Sequence, residues 1–125
     1  MTTRIGMLLF PRLTELDLTG PYEVFAQMPD TRVHLISHSL EPVVSAYGLA
    51  ISPDTTFDDC PPLDVLFVPG GPGISGTIES APTLAFLRQR APAAKFVTSV
   101  CTGALVLGAA GLLVGYRWRD RKSVV

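Results

Sequence analysis

Cysteine is the strongest nucleophile available to a protein at neutral pH, and Cys101 stands where such a group would be most reactive. It follows Phe96 to Val100, a short apolar and β-branched run that predicts a buried strand. It precedes residues 102–113, small or aliphatic on every side, which predict a helix packed all round. A strand-to-helix turn holds the sulfur clear of the sheet, and the N-terminus of the following helix favours a thiolate. Gly103 keeps bulk away from that turn, as in the nucleophile elbow of other α/β folds. The spacing therefore predicts Cys101 as a nucleophile. Two other readings stay open at this level. A thiol beside a buried helix also serves as plain core. Residues 96–116 carry no charge between Lys95 and Arg117, long enough for a bilayer span, and Gly111 with Gly115 forms a GxxxG pair. The strand character of Phe96 to Val100, the polar Thr98, Ser99 and Thr102, and four glycines weigh against the span.

The elements that would position this cysteine read in order along the chain. Arg4 to Phe10 predicts a first strand, apolar on both faces, ended by Pro11. A loop then carries Glu15 and Asp17, and Thr19-Gly20-Pro21 opens a helix that Pro29 stops. Arg32 to Ser37 predicts a second strand. Residues 39–57 are broken by Pro42, Gly48 and Pro53 into short β-like runs, a small hairpin or excursion. Asp58 to Pro62 predicts a turn and Asp64 to Val68 another buried parallel strand. It runs into Pro69-Gly70-Gly71-Pro72-Gly73, a loop able to bring backbone N–H groups close to a ligand. Ile78 to Arg90 predicts an amphipathic helix.

This alternation predicts an α/β fold with a parallel sheet, whose ligands bind beyond the carboxyl ends of the strands. Asp17, Gly70-Gly71 and Cys101 each follow a predicted strand, so three separate loops converge on one edge. Two other motifs point elsewhere and are weaker. Gly71-Pro-Gly-Ile-Ser-Gly76 matches G-x-G-x-x-G, but the next strand ends Thr-Ser-Val without an acid for a ribose. His34 and His38 fit no metal-ligand spacing, and both read as strand histidines satisfied by hydrogen bonds.

Composition bounds the rest. With 125 residues, 47% hydrophobic and 17% charged, the chain is one apolar globular domain. The formal net charge of −1 hides an asymmetry: Arg117, Arg119, Arg121 and Lys122 lie in the last nine residues. Up to Tyr116 there are six basic and ten acidic residues, a balance of −4, which leaves no footprint for nucleic acid. Residues 117–125 read as a solvated basic tail. Cys60 and Cys101 make neither a disulfide framework nor a CxxC pair, and the apolar run Ile5 to Phe10 is too short for a secretion signal. Reduced thiols in the cytoplasm are the expectation.

Leu16-Asp-Leu-Thr-Gly-Pro21, Val68-Pro-Gly-Gly71 and Ser99-Val-Cys-Thr-Gly-Ala104, three motifs in order, resemble the ThiJ/PfpI superfamily over residues 4–116. The resemblance implies a flavodoxin-like sandwich, a homodimer, and no metal or organic cofactor. Carried over by position, Cys101 is the nucleophile and Asp17 the acidic partner beside its sulfur. The loop glycines Gly70 and Gly71 bind the substrate, with the N–H groups of Gly71 and Thr102 forming an anion-stabilising pocket. Protease-like members place a His directly after the Cys, whereas this chain has Thr102, so peptide hydrolysis is not expected. Cys-Thr-Gly-Ala resembles instead the isonitrile-hydrating members, and also the non-catalytic sensor domains of AraC-type transcription regulators.

For the first of these the implied chemistry is addition of the Cys101 thiolate to the isonitrile carbon while Asp17 delivers a proton, giving a thioimidate. Asp17 must carry its proton at that moment, which burial beside an anionic sulfur favours. Water then displaces Cys101 and leaves an N-substituted formamide, with the Thr102 hydroxyl holding either the water or the acid. Without the resemblance, Asp17 reads equally as a turn or helix-capping residue. Members of the superfamily continue beyond the equivalent of Arg117 with further strands and helices, so the chain reads as a truncated or frame-altered member. Leaving uncovered the sheet surface that those elements would bury is expected to cost it solubility or monomer stability, and an inactive fragment is a further reading.

Overall fold

The computed structural model describes residues 2–100 and 102–111. Strand β1 (Thr3–Leu8) ends in four consecutive buried residues, Ile5 to Leu8, as a strand covered on both faces must. It lies parallel between β2 (Thr31–Ser37) and β6 (Val65–Val68), and the five-stranded sheet has the order β5-β2-β1-β6-β7, with β5 (Thr55–Thr56) and β7 (Phe96–Ser99) at its edges. Between β2 and β5 the excursion is an antiparallel hairpin of β3 (Val43–Val44) and β4 (Ala50–Ile51). The remaining elements are α1 (Glu15–Gln27), a short α2 (Ile74–Thr77), α3 (Ala81–Arg90), a 3₁₀ turn at Ala91–Ala93 and α4 (Gly103–Ala109). The crossovers β1-α1-β2 and β6-α3-β7 run opposite ways along the sheet. With the right-handed sense that parallel crossovers take, this puts α1 on one face and α3, which contacts α4, on the other. This is the α/β fold with a parallel sheet that the strand and helix pattern predicts, in the flavodoxin-like form that the family resemblance implies.

The differences from the sequence reading have identifiable causes. Helix α1 starts at Glu15, not at Thr19-Gly20-Pro21, so Asp17 sits in its first turn and not in a loop. The Thr14 N–H donates to the Gly70 carbonyl at 2.9 Å, and Leu13 and Leu18 are buried, so tertiary contacts begin the helix ahead of the proline. Pro21 falls inside the helix, where its missing N–H deprives the Asp17 carbonyl of its usual partner. Strand β1 stops at Leu8, while Leu9 and Phe10 stay buried without extending it.

Helix α3 begins at Ala81 and not at Ile78. Ser80 caps it, accepting from the Thr83 N–H, and Pro82 occupies the first turn. Helix α4 is not packed all round: Leu105 is 59% exposed, and a left-handed Gly111 (φ 82°) follows its end. Residues 112 and 113 of the predicted helix, and the tail at 117–125, lie outside the described residues. Among the described residues no helix is long and apolar enough to cross a membrane, and the apolar stretch that raised that reading opens with strand β7.

The two histidines part company. His34 is buried in β2, with Arg4 Nη1 at 3.1 Å from Nε2 and Thr55 Oγ1 at 3.4 Å from Nδ1. Arginine only donates, so Nε2 accepts, Nδ1–H faces Thr55, and the Thr55 hydroxyl donates to Asp54 Oδ1 at 2.7 Å. Burial lowers the His34 pKa. Asp54 opposes the shift, and Arg4 and Arg32 add to it. His38 is no strand histidine: it lies past the end of β2, exposed, edge-on to Phe57 at 5.9 Å between ring centroids.

Candidate functional site

The carboxyl ends of β1, β6 and β7 are neighbours in the sheet, so the loops that follow them share one corner. Main-chain contacts tie those loops together. After β1, Arg12 adopts a left-handed backbone (φ 64°), its N–H donating to the Val44 carbonyl at 2.8 Å and its carbonyl accepting from the Gly73 N–H at 3.1 Å. Gly71 has φ 138°, and a Cβ there would lie 2.5 Å from the Thr14 nitrogen and 2.9 Å from the Arg12 oxygen. Only glycine meets both demands. At Gly73 a Cβ would run into the Pro11 carbonyl oxygen. The glycines of the G-x-G-x-x-G match at positions 71 and 73 are thus accounted for by the loop that crosses them.

After β7 the chain turns sharply. The Val100 N–H still donates to Val68 O at 3.2 Å, and the Gly103 N–H turns back to Val100 O at 2.9 Å. A Cβ on Gly103 would press into the Val68 and Pro69 carbonyls, so α4 starts hard against the end of β6 only because residue 103 has no side chain. Cys101, the predicted nucleophile, lies outside the described residues. Its neighbour Thr102 is placed: its Oγ1 accepts from the Gly71 N–H at 3.0 Å. Gly70 in turn holds Thr14, whose carbonyl accepts the Asp17 N–H at 3.1 Å. A run of hydrogen bonds therefore links Thr102, the Gly70-Gly71 loop and the first turn of α1. The Asp17 side chain is half-buried there.

The Gly71 N–H is engaged by the Thr102 hydroxyl in this arrangement and does not stand free beside it. A hydroxyl that accepts from a backbone N–H keeps its own proton to donate onward, and is a better donor for it. Sequence reasoning missed a second support. The buried Ser45 hydroxyl in the hairpin turn donates to Glu15 Oε1 and accepts the Leu49 N–H at 3.0 Å, clamping the hairpin to the start of α1. Nothing local relates positions 15 and 45. Cys60 differs from the thiol sought: it is buried, its Sγ–H donates to Pro61 O at 3.3 Å, and burial pushes its pKa up against the opposing pull of Arg90. Among the described residues no cluster of His, Cys, Asp and Glu is placed to hold a metal ion.

The chain is 57% identical over 117 residues to the isonitrile hydratase of Pseudomonas putida, covering 94% of this chain and 51% of that protein. It is 33% identical over 118 residues to the HTH-type transcriptional regulator GbdR of Pseudomonas aeruginosa, covering 90% of this chain and 32% of the regulator. The crystal structure of a ThiJ/PfpI family protein from Pseudomonas syringae superposes with a TM-score of 0.87 at 46% identity, over 90% of this chain and 47% of that one. The chain thus spans about half the length of the isonitrile hydratase and of the solved structure that it matches. Residues 3–119 match the DJ-1/PfpI family, and with the parallel sheet, the glycine-lined corner and the turn at Gly103 in place, the chain belongs to that family.

Proposed function

We propose that this protein hydrates isonitriles to N-substituted formamides. The observation that carries the reading is the 57% identity to a protein named isonitrile hydratase, extending over the three motifs that converge on this corner. In the proposed reaction the Cys101 sulfur adds to the terminal isonitrile carbon while Asp17 delivers a proton, forming a thioimidate. Water adds to the thioimidate carbon, the C–S bond breaks, and the thiolate returns as the formamide leaves. The Thr102 hydroxyl, polarised by the Gly71 N–H at 3.0 Å, has its proton free for the water or the acid. Gly70 and Gly71 form the wall against which the isonitrile lies. The protein would act without metal or organic cofactor, as a homodimer, in the cytoplasm.

The test is formamide release from an alkyl isonitrile, followed by chromatography, for the protein and for Cys101→Ala. Turnover by the first and loss of it in the second is the expected result; equal rates overturn the reading. The 33% identity to a transcriptional regulator favours a second reading, a non-catalytic ligand-sensing domain. Absence of turnover in both proteins, together with saturable binding of the isonitrile, would favour that one. Absence of turnover and of binding would leave an inactive chain.

A further inference from the structure

On the far side of the Gly71–Gly73 turn from Thr102, a cavity of about 520 Å³ opens over the carboxyl ends of β1 and β2. It sits beside the point where the chain leaves β1 for one side of the sheet while β6 pairs on the other, the place where doubly wound sheets hold ligands. None of Asp17, Gly70, Gly71 and Thr102 lines it. Its basic side chains are Arg12 and His38, its hydroxyls include Ser75, and Phe10, Phe57 and Pro82 supply apolar wall. The residues that line it include neither Asp nor Glu. That is a departure in a body whose described part is acidic on balance. Among the described residues no carboxylate pairs with the Arg12 guanidinium.

The backbone of Arg12 strengthens the point. A left-handed conformation at a side-chain-bearing residue costs about 1 kcal/mol or more and persists only where the surroundings impose it. Here Val44 and Gly73 impose it from either side. Asn or Gly would sit there at less cost, yet the position holds a long cation at the cavity wall.

We propose that this cavity binds a small organic carboxylate, its charged end on Arg12 and His38 and its aromatic or aliphatic body against Phe10, Phe57 and Pro82. Arg12 offers the two parallel N–H donors that a carboxylate accepts, and His38 a ring N–H. The site is independent of the isonitrile chemistry, because its ligand touches none of the residues assigned to that reaction.

Benzoate is the probe. In protein labelled with ¹⁵N-histidine, the ring signals of His38, assigned by their loss in His38→Gln, shift saturably as benzoate is added, while those of His34 stay put. Benzamide, of the same shape without the charge, binds about tenfold more weakly or worse, the scale of a lost charge-assisted hydrogen bond. Arg12→Asn tolerates the left-handed backbone and lowers benzoate affinity by at least about tenfold, whereas Arg12→Lys retains part of it. Gly76, where a Cβ would meet open space, gives a second handle: Gly76→Trp fills the cavity and abolishes binding with Arg12 and His38 both in place. No saturable shift at His38, equal affinity for benzoate and benzamide, or unchanged affinity in either Arg12→Asn or Gly76→Trp overturns the proposal.

Discussion

Where β1, β6 and β7 end, loop is held against loop by main chain. Gly71, Gly73 and Gly103 each bring one segment so close to the carbonyls of another that a single Cβ does not fit. Along β2 and β5 the work is done by side chains instead. Arg4, His34, Thr55 and Asp54 pass hydrogen bonds across three strands, and Phe57 stacks on Phe86 at 4.5 Å. The first kind of construction is unforgiving of substitution and independent of pH. The second tolerates small changes of shape but depends on protonation.

The contrast breaks most visibly at Gly73. Replacing it with alanine drives a methyl into the Pro11 carbonyl oxygen, and neither loop has a flexible side-chain end to move aside. Gly73→Ala is expected to lose about 3 kcal/mol in urea unfolding, the upper range for overpacking. A loss under about 1 kcal/mol would mean that the loop yields and that the corner is less rigid than its contacts imply.

The side-chain region answers to pH. Burial lowers the His34 pKa below its ordinary 6.5, so between the lowered folded value and 6.5 the unfolded chain binds more protons than the folded one. Stability is fully present above about pH 6.5 and declines as pH falls from there toward the folded pKa. His34→Gln removes that slope, and at neutral pH it costs about 1–2 kcal/mol through the bonds to Arg4 and Thr55. Thermal melts at pH 7.5 and 5 distinguish the two proteins: the native Tm falls further with acid than that of the variant. Parallel falls would place the acid sensitivity elsewhere.

The same contrast explains what could be read from the residues alone. Main-chain crowding demands glycine, and glycine shows in a sequence, so the turn before Gly103 was legible as a tight one; the glycines after Val68 read as room for a ligand, whereas Gly71 and Gly73 are spent on crossing Thr14, Arg12 and Pro11. Central strands were legible because four buried residues in a row, as at Ile5 to Leu8, have few other uses. The start of α1 was not legible. Thr14 donates to Gly70, a partner in a distant loop, and the Pro21 signal pointed to a later start. Strand β5 is two threonines whose pairing with Ile36 and Ser37 has no local pattern. The clamp from Ser45 to Glu15 and the left-handed Arg12 are equally products of the assembled fold. Asp17 follows β1 as its position in the sequence implies, but it stands in the first turn of α1 and not in a loop.

A smaller effect tests the link between the two arms of the corner. Thr102→Val keeps the shape and leaves the Gly71 N–H without its acceptor, a loss of about 1 kcal/mol, while Thr102→Ser restores most of it. Hydrogen exchange at the Gly71 amide reads this directly: faster in the valine variant, near the native rate in the serine variant. Exchange unchanged in Thr102→Val would show that the hydroxyl does not hold the loop.

The smallest expected change comes from the third glycine of the same motif and is opposite in sign. Gly76 lies in α2, its φ is not left-handed, and a Cβ there meets nothing within 4 Å. With no clash to offset it, the usual gain from limiting the unfolded chain applies, so Gly76→Ala should stabilise by about 0.5 kcal/mol. Gly73 and Gly76 are three residues apart in one G-x-G-x-x-G match, yet alanine should unsettle the fold at the first and tighten it at the second. Were both variants destabilised alike, the glycine requirement would belong to the whole loop, through a bound group or a motion that both residues serve. Opposite signs assign it to the single point where the loop crosses Pro11.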